Sequence, residues 1–263
     1  MSANSSIEWT EATWNPVRGC DIVSPGCTNC YAMKVAHRFS GAGKPYDGLT
    51  KLTKGGPVWT GQVRLVPEAL GMPLRWRKPR RIFVNSMSDL FHEDVPDGFI
   101  TEVWRTMADT PHHTYQILTK RPARMAENLR RALSIGDFIA PPLENVWLGV
   151  SVEDQRRADE RIPLLLLTPA AVRWLSVEPL LGPVDLWPWI ADLDWVVVGG
   201  ESGHGARPMD QDWARSLRDQ CNEAAVPFFF KQWGTLKLAD GRVVGKKQAG
   251  RMLDGLTYNG YPA

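Results

Sequence analysis

An α/β fold made of repeated strand–helix units is predicted by three features of the 263-residue sequence. Short runs of β-branched and aromatic residues recur along the chain, and most are continuously apolar, which is typical of parallel strands covered on both faces. Segments with helical spacing separate these runs, which begin roughly 22 to 33 residues apart, as βα units with right-handed crossovers do. These features favour a barrel or partial barrel of parallel strands, with an open doubly wound sheet as the alternative.

The predicted elements follow one another in a regular order. A first strand is expected within residues 6–16, and further strands are expected at 81–86, 114–119, 145–152, 172–177, 194–200 and, as a seventh, 226–232. Helices are predicted at 97–110, 121–133, 154–166 and 210–224. In the last helix, Trp213, Leu217 and Cys221 recur every four positions as one apolar stripe. Asp210 stands where it would cap the amino end of that helix.

A single domain is predicted for residues 1–263, with a core of about residues 7–233. Residues 39–80 are rich in Gly, Pro and Lys, and they predict an insertion between the first helix and the second strand. Residues 234–263 are rich in Gly and Lys, and they predict a C-terminal extension that forms a hairpin or a lid.

The overall charge gives little indication of a partner. A net charge of +2 supplies no global electrostatic argument for binding nucleic acid or a membrane. The apolar runs are too short to cross a bilayer, and the amino terminus lacks the regions of a signal peptide, so we expect a cytoplasmic protein without a membrane partner. The segment RWRKPRR at 75–81 is a local exception: it is a candidate surface for nucleic acid or, alternatively, a solubilising loop.

Polar side chains follow nearly every predicted strand. The segments are SMSDLFH (86–92), TKRP (119–122), SVEDQ (151–155), SVEPLLG (176–182) and GGESGHG (199–205). Because the carboxyl ends of parallel strands meet at one edge, we expect these segments to line one functional mouth. Lys120 and Arg121 would pair there with a carboxylate or phosphate, or else begin an exposed helix.

Three of the four cysteines lie close together, with Cys20, Cys27 and Cys30 spaced C-x6-C-x2-C in a turn-forming loop. Three thiolates cannot all pair as disulfides, and they fall one ligand short of a closed zinc site. Sulfur ligands in such a loop are typical of a [4Fe–4S] cluster, and three of them would leave one iron open. A zinc site completed by His37 and plain core packing are the alternatives, and core packing suits Cys221.

The segment GCTNCYA, near the start of a βα-repeat chain, resembles the cysteine loop of the radical S-adenosylmethionine (SAM) superfamily. The commonest spacing in that superfamily is C-x3-C-x2-C, from which the spacing here departs. A closer resemblance runs nearly end to end through SIEWTEATWNPVRGC, SPGCTNCYA, IFVNSMSDLFH, SVEPLLGPVDL and GGESG. On these segments the chain is similar to the phage Gp37/Gp68 family, also called the DUF5131 or three-Cys-motif family.

The resemblance implies a partial (β/α)6-type barrel and a radical SAM enzyme whose substrate is open. Cys20, Cys27 and Cys30 would ligate one [4Fe–4S] cluster, and SAM would occupy the remaining iron and be cleaved reductively to a 5′-deoxyadenosyl radical. The segment Ser86–Asp89 resembles the serine- and aspartate-containing variant of the superfamily's SAM-binding motif. The residues that would bind the cofactor are therefore Ser86, Ser88, Asp89, Ser151, Glu153, Glu178 and Glu201.

The partners implied are a flavodoxin- or ferredoxin-like electron donor and a substrate for which nucleic acid, or a nucleotide-like molecule, is a candidate. No catalytic side chain is predicted. The alternative hypothesis is a non-catalytic nucleic-acid-binding module, in which the cysteines hold zinc or a cluster and the basic segment 75–81 contacts the nucleic acid.

Overall fold

The computed structural model describes residues 5–134, 142–203, 205–237 and 242–262. In chain order the described strands are β1 (Ala12–Trp14), β2 (Val17–Arg18), β3 (Thr50–Thr53), β4 (Gly56–Trp59), β5 (Arg64–Leu65), β6 (Arg81–Val84), β7 (Thr114–Thr119), β8 (Val146–Ser151), β9 (Val172–Val177), β10 (Trp195–Gly199), β11 (Phe228–Gln232), β12 (Leu236–Lys237) and β13 (Val243–Val244). The described α-helices are α1 (Tyr31–Arg38), α2 (Asp97–Ala108), α3 (Pro122–Ser134), α4 (Gln155–Leu166), α5 (Gln211–Glu223) and α6 (Lys246–Ala249).

Seven of these strands form one sheet, in the order β1-β6-β7-β8-β9-β10-β11. The predicted fold class is confirmed, because the chain is an α/β protein whose seven parallel strands form a partial barrel. Each predicted strand contains one of these seven, and the strand expected at 226–232 is β11. The four predicted helices correspond to α2, α3, α4 and α5.

The chain divides into two compact units. The first unit runs up to Leu148 and includes Thr168–Ala171, and the second comprises Gly149–Leu167 and the residues from Val172 onward. The single domain expected for residues 1–263 stays a prediction, as do its core at 7–233 and its extension at 234–263.

In the first unit, β1, β6 and β7 pair in parallel, with Trp14 opposite Val84 and Ile82 opposite Tyr115. The buried indole of Trp14 donates a hydrogen bond to the carbonyl oxygen of Ala69 at 2.8 Å, which ties the segment between α1 and β6 to the sheet. That segment contains the antiparallel hairpin β3–β4 and the short strand β5, which pairs with β2.

A small apolar cluster joins α1 to this segment. Its buried members are Ala32, Met33, Ala36, Tyr46, Leu49, Trp59 and Met87. Cys20 and Cys30 pack against the cluster, so the cysteine loop is partly supported by apolar contacts.

In the second unit, β9, β10 and β11 pair in parallel. Asp210 caps α5 as predicted, since its carboxylate accepts a hydrogen bond from the Asp212 N–H at 2.9 Å. Cys221 is fully buried on that helix and acts as a core residue.

The C-terminal residues protect one edge of the sheet. The Gly260 N–H donates to the Phe228 carbonyl, and the Phe230 N–H donates to the Tyr258 carbonyl, so this segment runs along the edge strand β11. The predicted hairpin is present as β12 and β13, which pair antiparallel, and the residues that connect them, 238–241, lie outside the described ranges. Within the described ranges, no helix has the length and apolar character needed to span a bilayer.

Candidate metal centre

Two of the three clustered cysteines are held by consecutive turns. Cys27 ends a short 3₁₀ turn, and its N–H donates to the Ser24 carbonyl at 2.9 Å. The Cys30 N–H donates in turn to the Cys27 carbonyl at 3.2 Å, and α1 begins at the next residue, Tyr31. These short-range bonds fix Cys27 and Cys30 relative to each other.

Cys20 is positioned by different contacts, because it lies two residues beyond β2. Gly19 has a φ of +89° and forms a bridge to Ser88. A Cβ atom on Gly19 would lie 2.3 Å from the Gln62 carbonyl oxygen, so only glycine fits here. The bridge brings the backbone beside Cys20 to the turn that follows β6, at the carboxyl end of that strand.

The three thiols lie near enough for their charges to interact. Burial, together with the negative charges of Asp89, Cys27 and Cys30, raises the pKa of the Cys20 thiol to about 12, although the positive charge of Arg121 opposes them. The free Cys20 side chain is therefore a neutral thiol at physiological pH, and a bound metal would have to displace its proton.

The thiol of Cys30 is affected by burial in the same way, but more of its neighbours favour the thiolate. Burial raises the pKa of its thiol, whereas the positive charge of Lys120 and hydrogen bonds from the N–H groups of Ala32 and Met33 lower it. Backbone N–H groups directed at a sulfur are suited to stabilise a thiolate, which is the form that binds metals.

The spacing of the sulfurs distinguishes two kinds of metal site. Among the residues that the structure describes, the three cysteine sulfurs do not form a set of ligand atoms within 4.8 Å of one another. A tetrahedral zinc ion with Zn–S bonds of about 2.3 Å holds its sulfur ligands only about 3.8 Å apart. Thiolates that bind different irons of a cluster stand farther apart than the ligands of one ion, whereas closure around a single zinc ion would require these three sulfurs to move closer together.

His37, the candidate fourth zinc ligand, is directed elsewhere. Its Nδ1 lies 3.1 Å from the Thr50 hydroxyl and 3.5 Å from the Ser40 hydroxyl. Both contacts are to side chains beside the last turn of α1, and they give the ring a structural role there.

The turn after β6 lies beside the cysteine loop. The Ser86 hydroxyl donates to Asn15 Oδ1 at 3.1 Å, and the Ser88 hydroxyl donates to the Val17 carbonyl at 2.8 Å. Tyr31, the residue after Cys30, donates its hydroxyl to the Ser86 carbonyl at 2.8 Å. These bonds connect the turn to the start of α1 and leave the serine oxygens as acceptors at the carboxyl edge.

Asp89 is buried, and its carboxylate is used by the protein itself. One oxygen accepts from the Phe91 N–H at 3.0 Å and the Thr119 hydroxyl at 2.7 Å. The other accepts from the Lys120 N–H at 3.1 Å and from Arg121 Nη1 at 3.2 Å. No helix begins at the SDLF segment, and α2 begins eight residues later, so Asp89 fastens the turn to the carboxyl end of β7.

Arg121 joins this turn to the cysteine loop. Its guanidinium donates to Asp89, to Asp21 and, at 2.9 Å, to Glu93, and Nη1 lies 4.0 Å from the Cys20 sulfur. Burial alone would lower the pKa of this guanidinium, but Asp89, Cys20 and the other carboxylates raise it above its usual value. The arginine is therefore permanently charged, and its predicted pairing with a carboxylate is fulfilled by acids of its own chain.

A second group of ligand types, Asp21, His92 and Glu93, also lies within 4.8 Å. Arg121 already pairs with both carboxylates of this group, and a cation would have to compete with it. His92 Nδ1 accepts a hydrogen bond from the Asp94 N–H at 3.2 Å, so the neutral ring carries its proton on Nε2, which lies 3.4 Å from Asp21. The group is an ion-paired network, and no metal site is built on it.

The second unit holds the other predicted cofactor residues. Ser151 and Glu153 are both buried at the end of β8. Arg161 on α4 donates to the Ser151 carbonyl at 2.7 Å and to the Glu153 carboxylate at 3.0 Å. Glu153 therefore has an internal partner of opposite charge.

Glu178 and Glu201 also have basic partners. Lys231 Nζ donates to both oxygens of Glu178, at 2.7 and 2.9 Å, and the pair lies beside Gly199, where a Cβ atom would crowd the Glu178 carboxyl carbon at 3.3 Å. Arg207 donates to both oxygens of the buried Glu201. Each predicted acid of the second unit is thus part of an ion pair.

The sequence profile of the family described as "Protein of unknown function (DUF5131)" matches residues 4–262. The chain belongs to the DUF5131 family. No curated protein matches this DUF5131 chain.

Two solved structures are similar to the DUF5131 chain, both at 11% sequence identity. A cysteine-to-serine mutant of spore photoproduct lyase is similar over 85% of this chain and 64% of its own, with a TM-score of 0.43. Spore photoproduct lyase complexed with dinucleoside spore photoproduct is similar over 88% of this chain and 67% of its own, with a TM-score of 0.41. The DUF5131 chain therefore spans less than two thirds of the length of the first of these proteins.

Several contact residues were not singled out individually by the sequence motifs. In the first unit they are Asp21, Tyr31, His92, Glu93 and Thr119. In the second unit they are Arg207 and Lys231. Lys231 was detectable in principle, because a lysine interrupts the apolar run of β11 near its carboxyl end. Asp21 is adjacent to a cysteine of the loop, but its partner Arg121 is 100 residues away and no local pattern connects them.

Proposed function

We propose that this DUF5131 protein is a radical SAM-type enzyme that holds one [4Fe–4S] cluster through Cys20, Cys27 and Cys30. The observation that carries the proposal is the gathering of three thiols, near enough for their charges to interact, beside the turn at the carboxyl end of β6. The carboxyl edge of a parallel sheet is where α/β proteins place ligands.

A bound cluster together with SAM supplies one-electron chemistry that ends in a 5′-deoxyadenosyl radical. Hydrogen-bond donors and positive charges lie at both ends of the cysteine loop, where they would stabilise the negative charge of such a centre. The N–H groups of Ala32 and Met33 donate to the Cys30 sulfur, the charge of Lys120 acts on it, and Arg121 lies beside the Cys20 sulfur. These groups stabilise thiolates that burial otherwise disfavours.

The turn after β6 is the proposed contact for SAM. Ser86 and Ser88 are the better-placed acceptors for its ammonium group, because their oxygens retain lone pairs after their protons are donated. Asp89 contributes by holding the turn and by its charge, since its oxygens already accept from four groups. The cofactor roles expected for Ser151, Glu153, Glu178 and Glu201 stay predictions.

Anaerobic reconstitution followed by SAM cleavage tests the proposal. The loaded wild-type protein is expected to be brown, to bind about four irons per chain, and to convert SAM to 5′-deoxyadenosine when reduced with dithionite. Cys30→Ser should lose both iron and cleavage. The matched control Cys221→Ser should retain both, because Cys221 is a core residue of α5.

The alternative hypothesis, a non-catalytic module that holds zinc, predicts a purified protein with different properties. It would be colourless, contain about one tightly bound zinc per chain, and cleave no SAM. A wild-type protein with those properties when purified without oxygen would overturn the enzymatic proposal. The flavodoxin- or ferredoxin-like electron donor and the nucleic-acid-like substrate are proposals that follow only if cleavage is observed.

A further inference from the structure

We infer that Arg121 is a positioning residue for the first cysteine of the loop: it anchors the limb that carries Cys20 and keeps a positive charge beside the Cys20 sulfur. The electrostatic half of this inference rests on the proposed function, because it concerns the group that Cys20 binds. The anchoring half concerns the protein without any bound group.

Cys20 needs an anchor that Cys27 and Cys30 do not. Those two cysteines are joined by consecutive turns, whereas six residues separate Cys20 from Cys27. The intervening Ile22 and Val23 are 49% and 41% exposed, so they do not fasten the limb to the core. The Gly19–Ser88 bridge holds the backbone before Cys20, and a contact after Cys20 is needed to hold the rest of this limb.

Arg121 supplies this contact from the carboxyl end of β7. Its side chain is only 6% exposed, and it donates to Asp21, the residue after Cys20, and to Asp89. Asp89 is in turn fixed by Thr119 and by the Lys120 N–H. The planar fork of an arginine can bind two carboxylates in fixed directions, which a lysine cannot do.

The same side chain sets the local charge. Arg121 Nη1 is 4.0 Å from the Cys20 sulfur, and the guanidinium stays ionised among Asp89, Asp21 and Glu93. A fixed cation beside a ligand sulfur favours the more negative, reduced state of a bound redox centre. Removing it should therefore shift the reduction potential to a more negative value.

Three variants separate anchoring from charge. Arg121→Gln removes both the fork and the cation, and Arg121→Lys keeps a cation without the fork. Asp21→Asn weakens the contacts of Asp21 with Arg121 and His92 and leaves the contact between Arg121 and Asp89 in place. Lys120→Gln is the matched control, because it removes a neighbouring cation whose charge acts on Cys30.

The first measurement uses the metal-free, reduced protein and follows backbone hydrogen exchange by mass spectrometry. Arg121→Gln, Arg121→Lys and Asp21→Asn should each lose protection at residues 18–24, while Lys120→Gln should keep it. If Arg121→Gln loses protection throughout the first unit, Asp21→Asn decides the matter, since that variant leaves the contact between Arg121 and Asp89 in place. Wild-type exchange at residues 18–24 in Asp21→Asn would overturn the anchoring role.

The second measurement uses the reconstituted protein and a potentiometric titration followed by electron paramagnetic resonance. Arg121→Gln should shift the midpoint to a more negative potential than wild type, and Arg121→Lys, which keeps a cation, should have a midpoint close to that of the wild type. An unchanged midpoint in Arg121→Gln would overturn the electrostatic role. Failure of the wild-type protein to take up a cluster would instead refute the proposed function, and the exchange measurement would still decide the anchoring role.

Discussion

At the scale of single residues, the cysteine loop depends on a glycine as well as on its thiols. Gly19 adopts a left-handed φ, and a Cβ atom there would lie 2.3 Å from the Gln62 carbonyl oxygen. Gly61 has a similar φ of +88°, but a Cβ atom there would meet nothing within 4 Å. The two positions therefore have a similar φ, and they differ in the room available for a Cβ atom.

Gly19→Ala is expected to lower the free energy of unfolding by about 1–3 kcal/mol more than Gly61→Ala, because only the first introduces a collision with backbone. The collision lies next to Cys20, so Gly19→Ala should also retain less iron after reconstitution. Urea unfolding and iron analysis of both variants measure these effects. Equal losses in the two variants would show that the close approach to Gln62 has no energetic weight.

At the scale of elements, the C-terminal segment is fastened to α5 by one carboxylate. Asp254 accepts hydrogen bonds from Arg215 at 2.8 Å and from Arg218 at 2.6 Å. These hydrogen bonds lower the pKa of the Asp254 carboxyl to about 2. The same segment continues along β11, so this contact helps to hold the cover over the sheet edge.

Asp254→Asn should increase hydrogen exchange in residues 250–262 while leaving β9 and β10 protected. Because the carboxyl pKa is lower in the folded protein, its contribution to stability is present above about pH 4 and is lost as the pH falls toward 2. The wild type should therefore lose protection of this segment on acidification, and the variant should show a smaller change. Asp192→Asn, at another exposed carboxylate of the second unit, serves as the control.

The elements were largely predictable from the sequence, and their polar contacts were not. Runs rich in β-branched and aromatic residues, such as 114–119 and 172–177, coincide with β7 and β9, since burial on both faces leaves a local trace in composition. Pairs such as Lys231 with Glu178 and Arg121 with Asp21 join residues 53 and 100 positions apart. Such pairs form only after the strands are aligned, so the sequence predicts which acids follow the strands but not which bases neutralise them.

At the scale of the whole molecule, two features of the first unit lie at opposite ends of one strand. The basic segment 75–81 leads into the amino end of β6, whereas the Ser86–Asp89 turn and the cysteine loop lie at its carboxyl end. Four residues of strand span roughly 13 Å. Charge on the basic segment is therefore separated from the thiols, and its side chains Arg75, Arg77 and Lys78 are exposed.

Replacing Arg75, Arg77 and Lys78 together by glutamine is expected to weaken the binding of a single-stranded oligonucleotide without changing iron content or SAM cleavage. Each lost phosphate contact lowers the dependence of log K on log salt by about 0.7, so removing three should reduce the slope by about 2. Fluorescence anisotropy at several salt concentrations measures the slope. A variant with the same net charge, carrying glutamine at the exposed positions Lys44, Arg130 and Lys247, should keep most of the wild-type slope. If both variants show an equally reduced salt slope, binding responds to net charge alone and the basic segment is a solubilising loop. If SAM cleavage by the first variant also falls, the two ends of β6 are functionally coupled.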